Sequence, residues 1–245
     1  ITSVTIHKTS ARKLQIPNIT NCFILPSFLF KSLTALRFFH KRFAFGFIVK
    51  GLCSVQPATE CFDFYLIGIE GKTPIIVTVD STETVTVNSN ADEFATAYTV
   101  EGSEETQRIK ELVELQTALS KQVNGMLESK SPAIVKTRND IYALIAEFKE
   151  NVARQFIAPA PGKASAYYSL WLTLNGEPIF SPMTVRNDSK YYAAVATNMQ
   201  SVYPEAARTK HLAKIAKESM EATRPRSTKD VEVSESEIKT TGLFE

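Results

Sequence analysis

The sequence predicts an α+β fold, a small antiparallel β-sheet (an incomplete β-sandwich) followed by an antiparallel helical bundle. Three observations carry that expectation. Short runs rich in aromatic and β-branched residues crowd positions 62–100, long stretches with apolar residues every three or four positions fill 104–156, and shorter helical stripes continue to about residue 220. A chain of 245 residues with 44% apolar content can bury a core of its own.

The first 59 residues differ from the rest. They hold eight Lys and Arg (Lys8, Arg12, Lys13, Lys31, Arg37, Lys41, Arg42, Lys50) and no Asp or Glu, whereas the remaining 186 hold 20 bases against all 26 acids. The formal +2 is therefore +8 on one side of Glu60 and −6 on the other. At average usage about seven acids belong in a stretch of that length. The chain starts at Ile1 rather than Met, which reads as a processed product or part of a longer reading frame.

Several readings of residues 1–59 stand open. A transmembrane helix is excluded, because the longest uncharged run, Leu14 to Phe30, contains Gln15, Pro17, Asn18, Asn21 and Pro26, whereas a span needs about 20 predominantly apolar residues. A basic surface helix fits Leu33, Leu36, Phe39, Phe43 and Phe47, which recur at three- and four-residue steps. A nucleic-acid patch fits poorly, since the eight bases form no cluster and no docking motif. Eight of the fifteen Phe with no acid also match translation of an unintended frame joined to a genuine one near Glu60. On that reading the segment is foreign to the fold and supplies no strands, and resequencing the coding region across the junction settles it.

After Glu60, Phe62 to Ile69 and Ile75 to Val79 predict a hairpin turning at Gly71–Lys72. Thr84 to Val87 alternates polar and apolar side chains, the period-two mark of a strand, and Ala97 to Val100 predicts another. A sheet this small needs cover from outside residues 60–102.

The helical bundle is expected over 103–222. Ser103 is placed to cap a first helix, with Glu104 and Glu105 in the turn where the helix dipole favours negative charge. Its stripe is Ile109, Leu112, Val113, Leu119, Val123, Met126 and Leu127. Ser131–Pro132 restarts the chain as N-cap and first helical residue, and the second stripe is Ile134, Val135, Ile141, Leu144, Ile145, Phe148, Val152 and Phe156. Two such helices across a short break pack as an antiparallel pair. Pro159, Pro161 and Gly162 end it. A helix from Ala164 to Leu174 is then expected to present Tyr167, Leu170, Trp171 and Leu174 on one face, with Trp171 as a core anchor and Asn175–Gly176 as its stop. Asp188 is read as the cap of a helix carrying Tyr192, Val195, Met199 and Val202, and Pro204 as the opening of a last one through Leu212, Ile215 and Met220. From Thr223 the composition turns polar, with an acidic stretch from Glu232 to Glu237, and residues 223–245 read as a linker.

No catalytic, cofactor-binding or metal-ligating residue is assigned, and no cofactor is expected. Cys22, Cys53 and Cys61 match neither a Cys-x-x-Cys pair nor a zinc set. Of His7, His40 and His211, the last sits beside Lys210 and Lys214, where a solvated imidazole is the simpler reading than a general base. Glu104–Glu105 and Asp92–Glu93 are neighbours in sequence rather than an acid and a base across a cleft. Gly68-Ile69-Glu70-Gly71 lacks the third glycine and following helix of a phosphate loop. Tyr167, Tyr168, Trp171, Tyr191 and Tyr192 fit a ligand groove less well than a core at helical spacing. Asn187-Asp188-Ser189 and Asn18-Ile19-Thr20 match a short glycosylation pattern common by chance.

The run Phe62-Asp63-Phe64-Tyr65-Leu66-Ile67-Gly68-Ile69-Glu70-Gly71, then Pro74 to Asp80, Phe94 to Ser103, Ser131–Pro132, Tyr167 to Trp171 and Tyr203–Pro204, resembles a known family region. It is similar to the domain of unknown function, with its helical extension, that precedes the thioredoxin domain in TlpA/ResA-like thiol–disulfide oxidoreductases of certain Gram-negative bacteria. The likeness covers roughly residues 60–245 and rests on framework motifs. The family's first strands are replaced here by the acid-free segment, and the thioredoxin domain with its Cys-x-x-Cys has no counterpart in these 245 residues, so no catalytic residue carries over. The resemblance implies a periplasmic, lipid-anchored parent in which this portion positions the redox domain or binds envelope client proteins; the scattered bases of residues 1–59 leave no nucleic-acid partner expected. The rival reading is a stand-alone envelope protein binding a peptide or sugar. An enzyme with an unrecognised site ranks behind both, because His, Cys and convergent acids are sparse.

Overall fold

The computed structural model describes residues 2–7, 13–15, 22–26, 52–54, 62–69, 72–80, 83–90, 92–128 and 134–225, giving the backbone alone for the first four segments, Ile69 and residues 134–137. The expected basic helix at 33–47, His40, Glu60, Cys61, Gly71, the Ser131–Pro132 restart and the acidic tail lie outside the described residues. The architecture is α+β.

Strands come first: β1 (Thr2–His7), β2 (Lys13–Gln15), β3 (Cys22–Pro26), β4 (Leu52–Ser54), β5 (Asp63–Ile69), β6 (Ile75–Val79), β7 (Thr84–Ser89) and β8 (Tyr98–Glu101). They form two antiparallel three-stranded sheets, β1-β7-β8 and β3-β5-β6, and a small β2-β4 ribbon. The registers set Val4 opposite Val87 and Ile24 opposite Ile67. Of the open readings of residues 1–59, the one in which the segment is foreign and supplies no strands stands against this topology, in which β1 and β3 give one strand to each larger sheet. The physical reason is visible in retrospect. Ser3-Val4-Thr5-Ile6 alternates with period two and Cys22 to Leu25 is a short apolar run, both strand patterns that a missing acid does not erase.

Strand alternation sorts the sheet side chains between two cores. Tyr65 and Ile67 on β5 and Ile75, Val77 and Val79 on β6 meet Val85, Val87, Tyr98 and Val100 of the other sheet, a sandwich closed by Phe94. The opposite face of β5 points Phe64, with the preceding Phe62, into the larger helical core. The β3-β5-β6 sheet is thus the middle layer of three.

β6 lies at an edge of that sheet, and the first helix covers it. In α1 (Glu104–Glu128) the Thr106 hydroxyl accepts from the Thr78 N–H at 3.1 Å and donates to the Thr78 carbonyl at 2.8 Å, replacing the missing strand partner. Ser103 caps α1 as expected, its Oγ accepting the Thr106 N–H at 3.2 Å. Gly102 before it has φ of 85°, and a Cβ there would stand 1.9 Å from the Thr84 carbonyl oxygen, so the β8–α1 corner requires glycine.

The second helix, α2 (Ile134–Val152), runs on into a π-helical turn (Ala153–Ile157) and packs antiparallel to α1. Then come α3 (Ala164–Ser169), β9 (Thr173–Leu174), β10 (Glu177–Pro178), α4 (Arg186–Val202) and α5 (Ala207–Ala222). Three expectations are corrected. The helix begun at Ala164 stops at Ser169, and Asn175–Gly176, both at positive φ (52° and 89°), turn the β9–β10 hairpin instead of ending a helix. Asp188 lies inside the first turn of α4, after a Val185 N-cap that makes no side-chain bond. The last helix begins at Ala207 rather than at Pro204.

Candidate functional site

The densest convergence of side chains lies where the middle sheet meets α3, α4 and α5. Phe62 and Phe64 meet Tyr167 of α3 with ring centroids 6.0 Å apart in each case, and Phe62 meets Tyr203 edge-on at 5.7 Å. Phe64 reaches Tyr168 at 6.0 Å, and Tyr167 reaches Trp171 at 5.9 Å. The geometry follows from local sequence. The pleat sends Phe64 to the helical side of β5, and Tyr167 and Tyr168 emerge from one turn of a short helix ended by Leu170.

Arg208, from the first turn of α5, threads this cluster. Its guanidinium carbon lies 5.1 Å from the Phe64 ring centre and 5.2 Å from that of Tyr167, and Nη2 donates to Asp63 Oδ1 at 2.8 Å. The same carboxylate oxygen accepts the Phe64 N–H at 2.9 Å. Both partners are largely removed from water, with side-chain exposures of 6% for Asp63 and 14% for Arg208. Nearby, the Tyr203 hydroxyl donates to Asp80 Oδ2 at 3.2 Å. A guanidinium held by a carboxylate and two ring faces acts as a clamp between sheet and helices, and its charge is spent on those partners.

A second buried pair secures the other side of the bundle. Lys149 of α2 donates to Asp188 Oδ2 at 2.6 Å, its ammonium lies 5.5 Å from the Phe180 ring centre, and Asp188 Oδ2 also accepts the Ser181 N–H at 2.7 Å. Asp188 is therefore buried as a tie between α2, the loop before α4 and α4 itself. A third tie joins the start of α1 to α3: Glu105 accepts the Ser165 N–H at 2.8 Å, while Arg108 donates to the Gln155 carbonyl at 2.7 Å and covers the Phe156 ring at 5.1 Å.

Burial perturbs three phenols. Desolvation pushes Tyr168 up to about 12. Desolvation raises Tyr98 and Tyr192 further, with the carboxylates of Glu114 and Asp188 adding to it, and Tyr192 spends its hydroxyl on the Leu170 carbonyl at 2.7 Å. These groups stay protonated at neutral pH and serve as donors rather than bases.

The residues weighed in the sequence fall as follows. His211 is exposed on α5. Glu105 is a structural acceptor, while Glu104, Asp92 and Glu93 are exposed. Gly68 lies within β5. Tyr167 and Tyr192 are core, Tyr168 and Tyr191 are half-buried, and Trp171 is 41% exposed, so the expectation that it anchors the core is corrected. The hairpin explains the change, because leaving the helix after Ser169 turns Leu172 inward and leaves the indole at the rim against Tyr192 at 5.9 Å. The residues that sequence reasoning missed are Asp63, Arg208 and Lys149. Asp63 and Arg208 are 145 positions apart, and no local pattern marks such a pair.

Among the described residues no three His, Cys, Asp or Glu gather as a metal site. Among them, too, no helix is long and apolar enough to cross a membrane. An open groove of about 400 Å³ between α1 and α2 is lined by Gln122, Gly125, Met126 and Leu144, which supply no nucleophile or titratable group. Comparison with protein-family models, with curated proteins and with solved structures finds no match for this chain.

Proposed function

We propose that this chain is the non-catalytic binding and positioning portion of a periplasmic TlpA/ResA-like thiol–disulfide oxidoreductase, its redox chemistry residing in a separate thioredoxin domain. One observation carries the reading. The segments that hold the resemblance, Phe62 to Phe64, Tyr167 to Trp171 and Tyr203, are far apart in sequence yet pack into one junction. A framework whose residues are used to lock a sheet onto helices is what a positioning module needs. Its strongest polar groups, Asp63, Arg208, Lys149 and Asp188, are committed to structural ties.

The reading predicts that the chain does not turn over disulfides. Cys61 has no second cysteine across two intervening residues, since Ala58 and Phe64 stand three positions to either side, so exchange would halt at a mixed disulfide. Insulin reduction with dithiothreitol as electron source is expected at the background rate. Catalytic turnover that disappears in Cys61→Ser overturns the proposal.

A further inference from the structure

Among the described residues, exposed apolar side chains stand where the start of α4 meets the end of α5. Met183, Val185 and Met220 are each exposed by 40% or more. Hydrogen bonds bring their surroundings together. The Ser189 hydroxyl lies 3.5 Å from the Met220 sulfur and 3.0 Å from Thr223 Oγ1 and donates to the Arg186 carbonyl at 2.8 Å, while the Ser189 N–H bonds the Val185 carbonyl at 3.1 Å. The start of α4 is thus stitched to the end of α5.

Four exposed cations belong to the segments that meet here: Arg186 and Lys190 flank Ser189 on α4, Lys217 precedes Met220 by three residues on α5, and Arg224 follows Thr223. Among the described residues Arg186, Lys217 and Arg224 have no carboxylate within ion-pair distance. Glu221 is the nearby acid without an ion-pair partner, since Glu218 stands 3.8 Å from Lys214. A basic rim around thioether and aliphatic side chains suits a segment that alternates acids with aliphatic residues.

We propose that residues 226–245 of this same chain dock there, placing Val231 and Val233 on the Met183, Val185 and Met220 surface and Asp230, Glu232, Glu235 and Glu237 on the cations. Two observations select this occupant. The described chain stops at Pro225, two residues past the Thr223 that touches Ser189, so the segment starts at the patch. Five residues reach up to about 17 Å, which carries Asp230 back over the Ser189–Thr223 contact from which the segment departs. The second is charge: the run 230–237 holds four acids and no base. Tethering supplies an effective concentration on the order of millimolar, so a weak contact suffices to hold it. Docking would fix the point from which any following domain departs, and it does not depend on the identity of that domain.

The test is limited proteolysis of the full chain at low salt by a glutamate-specific protease, set against a synthetic peptide of residues 226–245. Cleavage after Glu232, Glu235 and Glu237 is expected to be at least about fivefold slower in the full chain, as for a segment docked some four-fifths of the time. Lys217→Gln with Arg224→Gln, and separately Met220→Asp, are expected to return the rate to that of the peptide with an unchanged circular dichroism spectrum. Equal rates in wild type and peptide overturn the proposal. So does protection that survives both variants, which puts the segment elsewhere, or protection that falls on dilution, which assigns the surface to a second copy.

Discussion

Replacing Arg208 with Met tests the clamp at the centre of the fold. Met keeps much of the aliphatic stem and removes the guanidinium, losing the 2.8 Å bond to Asp63 and the two ring contacts at 5.1 and 5.2 Å. Removing one partner of a buried pair costs about 3–5 kcal/mol because the other charge keeps its desolvation penalty. Arg208 retains 14% exposure, so residual hydration places the expected loss at the lower end, about 3 kcal/mol, with the cation–π contacts contributing roughly 0.5–1 kcal/mol each within that figure. Asp63→Asn keeps the shape and an acceptor for the guanidinium, and should cost about 1–2 kcal/mol. If the two residues act on each other, the double variant falls short of the sum of the singles by about 2 kcal/mol. Urea unfolding followed by circular dichroism, with linear extrapolation, gives all three values. An Arg208→Met loss below about 1 kcal/mol, or additive singles, refutes the clamp.

Three further outcomes are expected. Trp171 is the single tryptophan and is 41% exposed, so native emission should lie to the red of a buried indole, and Trp171→Ala should cost about 1–2 kcal/mol rather than the 3–5 of a core site; a fully blue-shifted spectrum contradicts the hairpin. Desolvation raises Tyr98, Tyr168 and Tyr192 above the ordinary phenol value, so the native state keeps protons that the unfolded state loses. This contribution to stability is intact below pH 10 and is lost as pH climbs through the raised values, so phenolate absorbance should show Tyr98, Tyr168 and Tyr192 silent until the chain unfolds in alkali. Hydrogen exchange should find the ladder amides of β1 and β3 protected, and exchange there as fast as in a free peptide removes the two first strands from the sheets.

Local chemistry was legible and distant pairing was not. Ser103 announced its helix because an N-cap acts within three residues, and the α1 stripe of Ile109, Leu112, Leu119 and Val123 buried as its spacing required. Asn175–Gly176 was ambiguous, because positive φ serves both a helix stop and a type I′ turn, and only the pairing of Glu177 with Leu174 decides between them. Asp188 sits near a helix start for a tertiary reason, the Lys149 ammonium 39 positions earlier, which capping rules do not see. The strands of the acid-free segment were hidden by composition. Their partners, Val87 and Ile67, lie more than forty residues downstream, and short strands show themselves chiefly through such partners. The junction was half legible: its aromatic motifs stood out in the sequence, while the Arg208 that joins them is one of many bases on a polar helix.

The most direct test of the proposed role is the coding sequence that follows the codon for Glu245. An in-frame thioredoxin-like segment carrying Cys-x-x-Cys is the predicted result, since a positioning module needs the redox domain it positions. A stop codon at that point, or an in-frame continuation with no cysteine pair, contradicts the account.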